Sequence, residues 1–265
     1  MRKGFTLIEI LVALAVMSVL MLAFVRFFGG TLQASAHLQL QNELLSEAQI
    51  AHRLIASRIK EAWYIYPKGT KLTLTNSGWT ARNTLSVGYQ WTVGENFLAM
   101  ILPPRKDGIT CSTSNDGCFR FFAYFPHKRS WYVTHANVAE ALDPDSLNDP
   151  KVWVLMEYRA YYRRNCPVTD DGYPDPSNTG YRGKRGRLLV DYVQPNHDPW
   201  DSAFDYTLFD LPAVPNPEGL TVGLRLARQT SHGLYRVPSG TSAFILNVTA
   251  QNVGVKASKN RPYCQ

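Results

Sequence analysis

The chain has 265 residues, a formal net charge of +7, 45% apolar and 18% charged residues. These proportions exclude a disordered chain, and the length suits one membrane helix followed by a domain large enough to bury a core. The modest cationic surplus is compatible with an anionic partner without demanding one.

The chain starts Met1-Arg2-Lys3-Gly4-Phe5-Thr6-Leu7-Ile8-Glu9-Ile10 and continues as an apolar run to Val25. Between Phe5 and Val25 the single charge is Glu9. As a helix this run is about 31 Å long, the thickness of a bilayer core. Arg2 and Lys3 precede it, which directs the rest of the chain outward. A carboxylate inside such a segment costs about 2.5–3.5 kcal/mol, so Glu9 requires a partner. An ordinary secretory signal has a shorter apolar core closely followed by a small-residue cleavage site. Here Ala34-Ser35-Ala36 mimics that site but lies well beyond Val25 and Arg26. A plain single-pass anchor needs neither Glu9 nor a Gly4-Phe5 junction.

The segment Lys3-Gly4-Phe5-Thr6-Leu7-Ile8-Glu9 resembles the processing site of type IV prepilins and pseudopilins. The resemblance implies cleavage by a prepilin peptidase between Gly4 and Phe5, followed by N-methylation of Phe5. It implies that Glu9 then meets the N-terminal ammonium of a neighbouring subunit and sets subunit register. It divides the chain into a basic leader (1–4), a long helix (5–63, of which 5–25 is the transmembrane segment and later the filament core) and an outward-facing β-rich domain (64–265). The implied fold is α+β, with the helix packed on an antiparallel sheet. The implied partners are other pilins, the prepilin peptidase, an inner-membrane assembly platform and, before assembly, the membrane itself. The implied location is the inner membrane with the C-terminus outward, and then a pilus or pilus-like fibre. The size of the globular part and the form of the helix end are similar to the larger PilW-like minor pilins and the J-type minor pseudopilins, which implies a minor role at or near the fibre tip.

Leu40, Leu44, Ala48, Ala51, Ile55, Ile59 and Ala62 step by three or four and mark one helical face, with Glu43, Glu47, His52, Arg53, Arg58 and Lys60 largely off it. The spacing predicts one helix from Phe5 to Trp63 with a weak point at Gly29-Gly30, where two glycines cost about 2 kcal/mol relative to alanines. That weak point reads equally as a break or as a hinge. Tyr66-Pro67-Lys68-Gly69 punctuates the helix end. Beyond it, strands are predicted at Lys71–Thr75 (followed by a turn at Asn76-Ser77-Gly78), Leu85–Val93 and Phe97–Leu102, the last two joined as a hairpin by Gly94-Glu95-Asn96. Phe119–Phe125 and Ser130–Thr134 flank Pro126-His127-Lys128-Arg129, and a short helix is expected at Val138–Leu142. Val152–Tyr162, Arg187–Val193, Gly219–Ala227 and Ala243–Ala250 complete the strands. The polar segments Asp143–Pro150, Pro167–Gly186, Gln194–Asp205 and Pro212–Pro217 read as long loops, a class that often carries binding roles.

Four cysteines outside the cytoplasm predict two disulfides, and of three connectivities Cys111–Cys118 with Cys166–Cys264 is favoured. The spacing does not suit zinc. Asp170, Asp171 and Asp175 around Gly172, and Asp198 and Asp201 after His197, would suit calcium, but they match no EF-hand and turn chemistry accounts for them, so no metal is expected. No catalytic motif or phosphate-cradling glycine loop is present, so neither an enzyme nor a cofactor is expected. The basic run Tyr181-Arg182-Gly183-Lys184-Arg185-Gly186-Arg187 is a candidate DNA contact: Arg182, Lys184, Arg185 and Arg187 toward phosphates, Tyr181 as a stacking platform. Its ordinary reading is a solvated loop. Trp79, Tyr89, Trp91, Trp131, Trp153 and Trp200 would form a carbohydrate platform if exposed, although their strand-like positions point to packing.

Overall fold

The computed structural model describes residues 6–74, 79–86, 88–94, 96–106, 109–135, 142–163, 167–168, 181–196, 204–214, 216–231 and 233–255, with backbone alone for 182–185. Two compact units divide the chain, residues 1–43 and 44–265. Helix α1 (Leu7–Glu61) supplies nearly all the described residues of the first unit and enters the second.

In the first unit α1 is exposed almost throughout, with Leu7 at 77% and Val19 at 68%. The chain does not break at the expected weak point: Gly29 and Gly30 lie within unbroken helix. Nucleation is the costly step in forming a helix, and long flanking helical stretches carry the chain across two glycines.

The second unit contains the rest of α1 and all the strands. Leu44, Ala48, Ala51, His52, Ile55 and Ile59 are the buried face of the helix. This is the predicted stripe with two corrections, because His52 belongs to it and Leu40 is only half-buried. Arg58 and Lys60 occupy the last turn, where cations complement the helix dipole. In chain order there follow β1 (Tyr64–Ile65), β2 (Lys71–Thr73), β3 (Gln90–Thr92), β4 (Leu98–Leu102), β5 (Arg120–Lys128), helix α2 (Arg129–His135), β6 (Trp153–Tyr161), β7 (Arg182–Val193), β8 (Phe209–Asp210), β9 (Gly219–Leu224), β10 (Leu226–Thr230), β11 (Gly233–Val237) and β12 (Phe244–Thr249). They make an antiparallel seven-stranded sheet in the order β1-β4-β5-β6-β7-β10-β11, a three-stranded sheet β12-β9-β8 and a two-stranded sheet β2-β3. The fold is α+β and pilin-like, a long N-terminal helix packed on a large antiparallel sheet.

Strands β4 and β5 are buried on both faces, which is why they read as nearly continuous apolar runs instead of alternating ones. One face meets α1: the Arg58 guanidinium lies 5.1 Å from the Phe122 ring, and Arg120 donates to Glu61 at 3.3 Å. The opposite face is aromatic, with Phe121 stacked on Tyr181 at 3.9 Å and Phe125 against Trp91 at 4.5 Å. The apolar stripe of α1 therefore buries itself on the sheet that its own sequence requires.

Several expectations are corrected. Gly94 and Phe97 form a bridge, but no hairpin follows: β3 pairs with β2, while β4 joins β1 and β5. Leu98–Leu102 is apolar at every position and belongs inside the large sheet, between β1 and β5, whereas Gln90–Thr92 is exposed at both ends. Ser130–Thr134 is helical, not extended. Tertiary contacts override its β-prone composition, since buried Arg129 is held by Asp191 and Asp149 at the first turn, and Trp131 stacks on His135 one turn later. Strand β5 runs on through Pro126, and β7 starts at Arg182, inside the stretch expected as loop. The run Gly219–Ala227 splits between two sheets. The turn at Asn76-Ser77-Gly78 and most of the segment Val138–Leu142 lie outside the described residues.

Candidate functional site at the N-terminal helix

Thr6 precedes the first helical residue, and Glu9 stands three positions after it, the Thr-x-x-Glu spacing of a capping box. The Thr6 main-chain N–H donates to Glu9 Oε2 at 2.9 Å, and the Thr6 hydroxyl donates to the same oxygen at 2.9 Å. The Thr6 carbonyl accepts from the Glu9 N–H at 3.1 Å and closes the first turn. The carboxylate thus satisfies a backbone donor that a helix start leaves without a partner. Two hydrogen bonds leave its charge uncompensated, and among the described residues no cation pairs with it. Gly4 and Phe5, expected to flank the processing site, lie outside the described residues.

Around this acid the surface is apolar. Helix α1 is long and apolar enough to cross a membrane, and its large side chains from Leu7 to Phe28 stand exposed. The few hydroxyls are satisfied within the helix: Ser18 donates to the Leu14 carbonyl at 2.8 Å and Thr31 to the Phe28 carbonyl at 2.9 Å. Such internal bonding is what hydrocarbon surroundings demand.

The other expected sites fare differently. Tyr181 is in the core: it is 1% exposed, its ring lies parallel on Phe121, and its hydroxyl donates to the Thr73 carbonyl at 3.2 Å. Burial raises its pKa, and a base cannot stack on a ring already covered. Arg187 is exposed, opposite Glu157 across the β6–β7 ladder, while the side chains of Arg182, Lys184 and Arg185 lie outside the description. Cys111 and Cys118 form a disulfide with their Cα atoms 4.5 Å apart; Cys166 and Cys264 are outside the described residues. Gly117 in that loop has no alternative, because a Cβ there would sit 2.2 Å from the Ile109 carbonyl oxygen. The aspartates 170, 171, 175, 198 and 201, and Trp200, are likewise outside. Trp91 and Trp153 are buried, and Trp79 and Trp131 pack on one another at 5.3 Å, so these four rings build core and satellite clusters and not a carbohydrate platform.

Sequence reasoning missed the buried ionic groups. Arg129, 2% exposed, donates to both carboxylate oxygens of Asp191 at 2.9 and 3.1 Å, to Asp149 and to the Asp143 carbonyl, tying the start of α2, β7 and the segment before β6 together. Glu157 is buried and accepts from Tyr124 at 2.8 Å and from Arg159. Burial, reinforced by Glu157, holds the Tyr124 hydroxyl pKa well above its usual range. Except for Arg159 beside Glu157, these partners are far apart in sequence, so no local pattern announced them.

Residues 1–25 match the family model of the prokaryotic N-terminal methylation motif. No curated protein and no solved structure matches the chain. Taken with the exposed apolar helix and its lone acid, the match indicates a type IV pilin-like prepilin signal at the N-terminus.

Proposed function

We propose that this chain is a minor pilin-like subunit, inserted in the inner membrane as a precursor, cleaved after Gly4, methylated on Phe5 and then extracted into a type IV pilus or pilus-like fibre. The observation that carries the reading is Glu9, an acid that no cation among the described residues pairs with, at the start of an exposed apolar helical run from Leu7 to Val25. In lipid its charge is costly. In a fibre the cationic amine of Phe5 on a neighbouring subunit neutralises it and fixes the axial register, while the helix from Phe5 to Val25 packs among similar helices. The same steps serve the pseudopilus of a type II secretion system. A position at or near the tip, with a part in starting assembly, agrees with the bulk of the second unit and its long connecting segments, which are awkward to repeat throughout a helical lattice.

Shearing fibres from cells and separating them from membranes tests the proposal. The mature chain is expected in the fibre fraction together with other pilin-like subunits. Recovery from the membrane fraction alone overturns the assembly reading and favours the alternative, an outward-facing DNA- or ligand-binding module for which the helix is merely a tether.

A further inference from the structure

We infer that the edge of β12 opposite β9, which no described residue pairs with, receives an extended, uncharged segment of another subunit, which adds a fourth strand to the three-stranded sheet. The inference rests on the assembly reading above and names the surface through which it operates.

The hydrogen-bond phase of the sheet identifies the open groups. The Ala250 N–H donates to the Glu218 carbonyl at 2.7 Å, and on the other side of β9 the Gly223 N–H donates to the Leu208 carbonyl at 2.9 Å. With the register Phe244↔Leu224 to Thr249↔Gly219, the even-numbered residues of β12 bond to β9. Ile245, Asn247 and Thr249 therefore turn their N–H and C=O groups away from the sheet, where none of the described residues pairs with them.

Proteins guard such edges with charges, bulges, prolines or brevity. The other edges of the two larger sheets are guarded. The Ile65 N–H on β1 is taken by Asn216 Oδ1 at 3.0 Å, β8 has two residues and carries Asp210, and β11 carries Arg236. Strand β12 has six consecutive pairs without a bulge, and no charged residue occurs from Ser239 to Val255. Its side chains are incompletely covered: Phe244, stacked on His52 at 5.4 Å, remains 37% exposed, and Ile245 is 63% exposed.

These features define the occupant. Next to Phe244 and Leu246 it must offer apolar side chains, since a charge there would be desolvated without a counter-charge. On the opposite face, Asn247 and Thr249 form one wall of an open cleft of about 390 Å³ with Thr221 and Asp210, which suits hydroxyl or amide side chains. Affinity comes from main-chain bonds and specificity from this alternation. A second copy of β12 in the antiparallel arrangement is the wrong occupant. From Phe244 beside His52 to Gln251, whose N–H reaches the Lys60 carbonyl at 3.2 Å, β12 advances in the same sense as α1. Antiparallel self-pairing would point the two copies of α1 in opposite senses, whereas subunits drawn from one membrane share a direction.

Two variants and one exchange measurement test the inference. Asn247→Pro deletes an outward N–H that the sheet does not use, together with one exposed bond from the Thr221 hydroxyl to Asn247 Oδ1, and Ile245→Lys places a charge at an exposed position, so neither should unfold the domain, as checked by near-UV circular dichroism. Both should be inserted and processed normally yet be at least about fivefold depleted from sheared fibres. Amides 245, 247 and 249 should exchange at least about tenfold more slowly in the native fibre than in the detergent-solubilised chain. Wild-type incorporation of both variants, or equal exchange in the two states, overturns the inference. If the wild-type chain itself never enters fibres, the assembly reading fails separately. The edge is then judged by exchange in native membranes, where protection relative to detergent upholds it and its absence overturns it.

Discussion

Thr6 directs two hydrogen bonds, main-chain N–H and hydroxyl, to the same oxygen of Glu9, each 2.9 Å long. The acid in the apolar helix thus has a local use, capping, before any neighbour arrives. Capping needs an acceptor oxygen and register needs a negative charge, so the two uses separate by substitution. Glu9→Gln keeps the acceptor and loses the charge, while Glu9→Val loses both. Both variants are expected to insert and be cleaved, and both to fall about tenfold or more in sheared fibres, the size of effect that loss of one ion pair in an apolar setting produces. Quantitative immunoblots of membrane and fibre fractions check this. Normal incorporation of Glu9→Gln would reduce the role of Glu9 to capping.

The buried guanidinium of Arg129 is a stability determinant of the second unit. Arg129→Met leaves Asp191, 8% exposed, without its counter-charge. Breaking a buried pair on one side costs about 3–5 kcal/mol. Arg129→Lys should recover little, because a point charge cannot reproduce two parallel bonds to one carboxylate. Urea unfolding of the detergent-solubilised chain measures both.

His127 is fully buried beside Trp79 and Trp131, and burial lowers its pKa from 6.5 to about 4, with His135 and Arg82 acting in the same direction. Between these values the unfolded state binds the proton that the folded state refuses. Stability contributed by neutral His127 is therefore complete above about pH 6.5 and is lost progressively as pH falls toward 4. The full effect is about 3 kcal/mol. His127→Phe should flatten the dependence of urea midpoint on pH across this window, and an unchanged slope would assign the dependence to other groups.

Gly117→Ala forces a methyl group against the Ile109 carbonyl oxygen inside the Cys111–Cys118 loop. A cost of about 1–3 kcal/mol is expected from this overpacking. Peptide mapping without reduction should show less of the Cys111–Cys118 bond in this variant, because the loop must shift to accept the methyl group.

Local patterns carried much of this fold into the sequence. The stripe from Leu44 to Ala62 marks the buried face of α1 because helical periodicity is a short-range property. Val152–Tyr162 reads as a strand because its β-branched and aromatic residues sit where the sheet is central. What stayed hidden depends on distant partners. Ser130–Thr134 has β-prone residues but becomes helical because Arg129 is pinned by residues up to 62 positions away. Tyr181 sits in a basic run that looks solvated, and only the arrival of Phe121 and Thr73 shows it to be core. At the N-terminus, the acid and the apolar run are legible as chemistry, whereas the pair of hydrogen bonds from Thr6 depends on how the first helical turn folds.

The central claim is that a newly exposed amine on Phe5 meets Glu9 of a neighbouring subunit. Intact mass and N-terminal peptide spectra of the chain purified from sheared fibres test it most directly. The account predicts a chain that begins at Phe5 and carries a methyl group on its amine. A fibre-derived chain that still begins at Met1, with Gly4 joined to Phe5, would contradict it.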